Sequence, residues 1–186
     1  MEDRDRQEPS ESGRLVLTAV PDEGDLSRAV CAARERVAIL RPQYFQQNLL
    51  LDQAALRSGT LLTYIPPGRP VGAVDASDIA DTAAVLLTAE PLTGQIVVPT
   101  GPATITTQDA ADAISSALRI DIAIDYVDAD RAWTELRKAG RPDWWIADLL
   151  NICQKASLEV NDDVPSLTGH PARTIADTAK AQLSAN

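Results

Sequence analysis

Among the 186 side chains, histidine and cysteine together number only three. His170 is the single histidine, so a Ser-His-Asp or Cys-His mechanism would have to run through that one ring. A histidine-rich metal site is excluded, and no metal is expected. His170 stands between Gly169 and Pro171, which suits a turn residue better than a catalyst. Cys31 and Cys153 are far apart, form no CxxC pair, and fall on apolar faces of expected helices, where a thiol packs. Asp75 and Asp78 have the spacing of paired carboxylates. They open an expected helix, however, where side-chain oxygens cap free N–H groups and negative charge suits the helix dipole. No residue is assigned a catalytic role.

Composition narrows the classes further. Twenty-seven acidic against 17 basic residues give a formal net charge of −10, which argues against phosphate-rich nucleic acid as a partner. No apolar run approaches the roughly 18 residues needed to cross a bilayer, so no membrane association is expected. With 45% apolar residues the chain can bury one core. Two separated cysteines and an acidic, polar N-terminus fit a cytoplasmic protein.

Residues 1–13 read as a disordered tail. Order begins at 14–20, a buried strand, followed by a short helix at 25–33 and a second strand, VAIL, ended by Arg41-Pro42. Strand, helix and strand in so short a stretch form a right-handed βαβ unit and imply a parallel sheet. A helix over 43–58 follows, with Phe45, Asn48, Leu49, Asp52 and Leu56 sharing one face. LLTYI and VGAV are short strands around PPGRP. Residues 77–90 form a helix with Ile79, Ala80, Ala83, Leu86 and Leu87 inward. QIVVPTGP is a strand, TTQDAADAISSALR a capped helix, and IDIAIDYVD a half-buried strand with Ile120, Ile122, Ile124 and Tyr126 on one side. Helices at 129–140, 142–159 and 174–185 complete the chain. In the helix 142–159, Trp145, Leu149, Ile152, Cys153 and Ala156 form the buried stripe, leaving Trp144 on the polar face. The class is α/β.

Four segments, taken in order, resemble the NmrA-like branch of the atypical short-chain dehydrogenase/reductase superfamily. They are VAILRPQYFQQNLL, VGAVDASDIADTAAVLL, VVPTGPATITTQDAADAIS and VNDDVPSLTGHPARTIADTA. The resemblance implies a partial Rossmann-like parallel sheet made of the late strands, with a C-terminal mixed α/β substrate-binding subdomain. Residues 14–186 would form the NmrA-like portion, 14–90 supplying residual Rossmann strands and helices and 91–186 mainly the substrate side. It also implies an NAD(P)(H)-dependent oxidoreductase acting on a small carbonyl or quinone-like molecule, with NADP or NAD as cofactor.

One departure stands out. Such proteins open with a strand and a glycine-rich turn that holds the cofactor diphosphate, and the nine scattered glycines here form no GxGxxG. The chain is therefore expected to be truncated, lacking the first four strands and the phosphate turn. The strand at 14–20 would then carry a bare edge, which invites a homo-oligomer or a partner chain. By the same resemblance, Pro42, Gln43, Tyr44, Phe45 and Asn48 pass the nicotinamide, because a proline turn, an aromatic wall and an amide suit a planar ring bearing a carboxamide. Tyr44 and Trp144 would line the substrate pocket. No Tyr-x-x-x-Lys dyad occurs before Arg41. The alternative readings are a cofactor-free binding or regulatory module of the same family, and a gene fragment without a function of its own.

Overall fold

A computed structural model describes residues 15–18, 37–88, 96–155 and 158–183, with only the backbone for 15–18 and Val37. The expected tail, the helix at 25–33 and Cys31 lie outside the described residues.

The β-branched and aliphatic runs flanking the undescribed stretch do pair as parallel strands. β1 (Leu15–Thr18) lies beside β2 (Val37–Leu40), with Leu15 opposite Val37. On its other side β2 takes β6 (Ile96–Val97), also parallel, giving the order β1-β2-β6. The inner strand β2 is thoroughly buried: Ile39 and Leu40 are sealed from solvent. Leu86, from helix α2 (Ala76–Thr88), closes over Ala38, Leu40 and Val97.

A second sheet begins four residues after Leu40. β3 (Tyr44–Phe45) runs parallel to β5 (Val71–Val74), and β7 (Thr104–Ile105) lies antiparallel on the other side of β5. The third pair is β4 (Thr60–Thr63) with β8 (Ala123–Tyr126), parallel and in register from Thr60 opposite Ala123. These two small sheets share the main core. Leu50, Leu56, Leu61, Ile65, Val71 and Ala73 meet Ala110 and Ile114 of α3 (Thr107–Leu118), together with Ile175, Ala179 and Leu183 of the last helix, α7 (Ile175–Leu183). The mixed α/β class stands.

Several expected elements differ in detail. The helix at 43–58 is broken into β3, a 3-10 turn (Gln46–Leu50) and a single helical turn, α1 (Gln53–Arg57). The backbone of Tyr44 and Phe45 is taken by β5, and Asp52 starts α1 afresh by accepting from Ala55 N. Phe45, Asn48 and Asp52 are exposed, whereas Leu49 and Leu56 are buried as expected, joined by Leu50. The strand at 120–128 is shorter because Arg119 adopts a left-handed conformation at the end of α3 and Ser115 Oγ donates to the Ile120 carbonyl. Ile122 and Ile124 reach the core; Ile120 and Tyr126 lie at the surface. On α2 the buried residues are Asp78, Thr82 and Leu86, with Ala80 and Leu87 outward.

Two further helices, α4 (Ala129–Lys138) and α5 (Asp143–Lys155), form a hairpin around Val127, Ala132, Ile146 and Leu150. The buried stripe of α5 is Ile146, Leu150 and Cys153; Ile152 faces outward. The stripe is rotated from the expected one because the helix packs on α4 along Ile146 and Leu150 and meets the core only through Leu149 and Cys153. Arg137 lies over the Trp133 ring and pairs with Asp143, and Arg141 lies over Trp145, fastening the hairpin from outside. Before α7 comes the short α6 (Asp163–Thr168), closed by Gly169 in the left-handed region.

Candidate functional site

The stretch from Pro42 to Asn48 crosses the gap between the first two sheets. Arg41 N donates to Val97 O at 2.8 Å and Gln43 N to Pro99 O at 3.2 Å, so the chain stays beside the residues leaving β6 before turning into β3. Strand alternation then decides the side chains: Tyr44 turns to the core while Phe45 remains 37% exposed. Tyr44 makes side-chain hydrogen bonds with Cys153 of α5 and Asn48 of the 3-10 turn. Burial raises its hydroxyl well above the usual phenol range, and the neighbouring Cys153 adds to this. The same burial pushes the Cys153 thiol up to about 11, against the opposing hydrogen bond from Tyr44. Both groups keep their protons at neutral pH. Tyr64 packs nearby, its hydroxyl raised first by burial and then by Glu135 and Cys153. This corner can orient a ligand, but it offers no ready acid or nucleophile.

Of the five residues from the proline turn, the fold joins Tyr44 to Asn48 directly and sets Phe45 beside them, exposed. Trp144 stands elsewhere. It is 67% exposed at the start of α5, nine residues before Cys153, or about 14 Å along the helix axis.

Apart from Asp75, the residues that hold this corner in place were not singled out in the sequence. Gln46 is buried, and its Nε2 donates to Ala73 O at 3.2 Å and to Arg173 O at 3.1 Å. Its Oε1 accepts from the Thr178 hydroxyl, which also reaches Asp75 Oδ2. Gln47 spans the same junction, giving Nε2 to Asp75 and taking Ala76 N on Oε1. Asp75 accepts from Ser77 N at 2.7 Å, the helix-start role expected of it. Burial works to raise its pKa, but hydrogen bonds from Thr178, Ser77 and Gln47 win and leave it below the ordinary carboxylate value.

Asp78 departs from its expected capping role. It is fully buried, accepts from Arg173 N at 2.7 Å and ion-pairs with the Arg173 guanidinium, which also reaches Asp81 at 3.0 Å. Desolvation of a carboxylate demands such a partner, whereas a helix cap can stay in water. His170 completes the group, 3.2 Å from Asp81. The three side chains Asp78, Asp81 and His170 thus come close together, with Arg173 already supplying the cationic charge among the carboxylates.

The third segment is tied in by Gly101 and Thr100. A Cβ on Gly101 would lie 2.2 Å from the Ala73 carbonyl oxygen, so only glycine lets the two backbones approach. Thr100 exchanges hydrogen bonds with Asn161, and Asp163 accepts from Val98 N at 2.7 Å. Every one of the four recognised segments therefore contributes to this polar framework. Its residues were visible within those segments, but no spacing rule marks buried glutamines and threonines as partners.

The fold is a Rossmann-like mixed α/β arrangement, and comparison with known proteins agrees with that class. No family model matches the chain. It is 32% identical over 152 residues to an NAD(P)H azoreductase of Xenophilus azovorans, covering 78% of this chain and 52% of that protein. It is 28% identical over 141 residues to a (4-alkanoyl-5-oxo-2,5-dihydrofuran-3-yl)methyl phosphate reductase of Streptomyces griseus, covering 74% and 50%. The chain spans about half the length of these curated relatives. Among solved structures, the NADPH complex of the quinone oxidoreductase QOR2 from Escherichia coli superposes with a TM-score of 0.66 at 22% identity, over 78% of this chain and 53% of that one. A Citrobacter triphenylmethane reductase complexed with NADP(H) gives 0.66 at 21%, over 79% and 53%. Among the described residues, no helix is long and apolar enough to cross a membrane.

Proposed function

We propose that this chain forms the substrate-side portion of an NAD(P)H-dependent reductase of the NmrA-like type, acting on a small carbonyl or quinone-like molecule. The observation that carries the reading is the 32% identity to an NAD(P)H azoreductase over 152 residues, 78% of this chain. Pro42, Gln43, Tyr44, Phe45 and Asn48 form the nicotinamide side of the site, with the exposed Phe45 ring and the Asn48 amide available to a planar carboxamide-bearing ring. Tyr44 borders the substrate, and Trp144 forms a more distant wall. Residues 14–90 supply the late Rossmann strands, and 91–186 mainly the substrate side.

The residues present fit one end of a pyridine nucleotide and not the other. A diphosphate needs closely approaching glycine backbone at a helix N-terminus, and the 186 residues contain no GxGxxG. When bound, the cofactor would supply a hydride; this chain's residues orient the ring and exclude water from it. Among the described residues β1 pairs with β2 alone. Its open edge accepts a second copy or a partner chain that extends the sheet. The two separated cysteines favour a cytoplasmic setting.

The test is saturation-transfer NMR with oxidised NADP at millimolar concentration. Nicotinamide protons should receive more saturation than adenine protons, and Phe45→Ala or Asn48→Ala should abolish the difference. Absence of transfer, or an adenine-dominated pattern, would sink the reading. It would leave the second reading, a cofactor-free binding module of the same fold, which the lack of a glycine-rich turn favours. Size-exclusion with light scattering should show a dimer or larger; a cooperatively melting monomer counts against pairing at β1.

A further inference from the structure

We propose that Tyr64 is the hydrogen-bond donor that seats a neutral, planar carbonyl or quinone ligand beside the Tyr44 corner. This rests on the reductase reading above and gives that site a further residue and a charge preference. Tyr64 follows directly on β4, at the carboxyl end of the parallel β4-β8 pair, the end at which parallel sheets take their ligands. Among the described residues it alone packs against both the main core and the hairpin core around Val127, Ala132, Ile146 and Leu150. Tyr44 packs on the same main core, and Cys153 acts on both phenols.

The ring is therefore fixed, but the hydroxyl is not spent. Among the described residues nothing hydrogen-bonds it, and the oxygen is not sealed from solvent. Tyr44 differs, because its hydroxyl is already engaged by Cys153 and Asn48. A side chain held by packing on both sides loses little further freedom when a ligand binds. Burial and Glu135 keep the Tyr64 proton in place, so the phenol is a ready donor at neutral pH. A carbonyl or quinone oxygen can accept it.

Neighbouring charges select among such ligands. Glu135 and Arg131 both act on the Tyr64 hydroxyl. Arg131 is bound by Asp125 at 2.6 and 2.8 Å and by Glu135 at 2.8 Å. Two carboxylates around one guanidinium leave a net negative charge beside the phenol. An anionic ligand is disfavoured there, and a neutral one of the same shape is not. All three charged groups are partly exposed, so the preference is modest and weakened by salt.

Equilibrium dialysis at low salt tests this with two planar quinones of one ring system, neutral hydroxymethylanthraquinone and anthraquinone monosulfonate. The wild-type chain should bind the neutral quinone more tightly. Tyr64→Phe keeps the ring and its packing, and should weaken that binding by about 3–10-fold. Glu135→Gln should narrow the gap between the two probes by about 2–5-fold, an effect that shrinks in high salt. Unaltered binding by Tyr64→Phe, or a monosulfonate held as tightly as the neutral quinone, overturns the assignment and leaves the reductase reading standing. Failure of the wild-type chain to bind either quinone overturns both.

Discussion

The Gln46 amide and the Thr178 hydroxyl, 132 positions apart in sequence, are hydrogen-bonded in the interior, and Asp75 shares the same hydroxyl. One side chain belongs to the turn after Pro42 and the other to the last helix. The amide orientation is set by its other end, since Nε2 faces two carbonyls and must donate. The candidate site loop is thus held from beneath by the C-terminal part of the chain.

Removing that amide should be costly. Gln46→Leu keeps the volume but leaves the Ala73 and Arg173 carbonyls without their donor, a loss of about 2–4 kcal/mol. The urea midpoint should fall with an unchanged slope. In a double-mutant cycle with Thr178→Val, the coupling should reach about 0.5–3 kcal/mol, and strict additivity would show that the contact carries no energy.

Two glycines should respond differently to alanine. Gly101→Ala drives a Cβ into the Ala73 carbonyl at 2.2 Å and forces backbone apart, a loss of about 2–3 kcal/mol or more. Gly68 has φ +71° with nothing within 4 Å, so Gly68→Ala meets only the left-handed strain, about 1 kcal/mol. Thermal melts should rank them in that order.

Asp75 predicts an acid limit. Its pKa is depressed in the folded state, so its contribution is present above the unfolded carboxylate value near 3.9 and is lost as pH falls through the lower folded value. Thr178→Val removes one of the depressing hydrogen bonds. Acid unfolding followed by circular dichroism should then begin at higher pH than in the wild type. An unchanged acid limb would mean that the Thr178 hydroxyl does not stabilise the carboxylate.

Cys153 should be nearly inert while the protein is folded. With its thiol pushed up to about 11, the thiolate fraction at pH 8 is about 200-fold below that of a free cysteine, before steric exclusion is counted. In a Cys31→Ser background, an aromatic disulfide reagent should react slowly at pH 8 and rapidly in urea. Tyr44→Phe removes a hydrogen bond that favours the thiolate, so it should not speed the folded reaction.

Local elements were legible where local physics suffices. The capped helix TTQDAADAISSALR and the parallel pairing of β1 with β2 both followed from residue type and spacing. The stretch after Pro42 did not. Its apolar spacing reads as a helix, but β5 captures the backbone of Tyr44 and Phe45, and a strand partner nearly thirty residues away leaves no periodic mark. Asp78 shows the same limit: its position at a helix start is visible, and its burial against Arg173 is not.

The sequence alone therefore determined the α/β class and the buried strand that ends at Arg41-Pro42, because those depend on short-range pattern. Only the tertiary structure decided that Gln46, Asp75, Arg173 and Thr178 form one buried framework, that Tyr44 meets Cys153, and that Trp144 stands apart. Hydrogen bonds among buried polar groups are chosen by which elements happen to pack together. That choice is made by the whole core and is written in no single stretch of the chain.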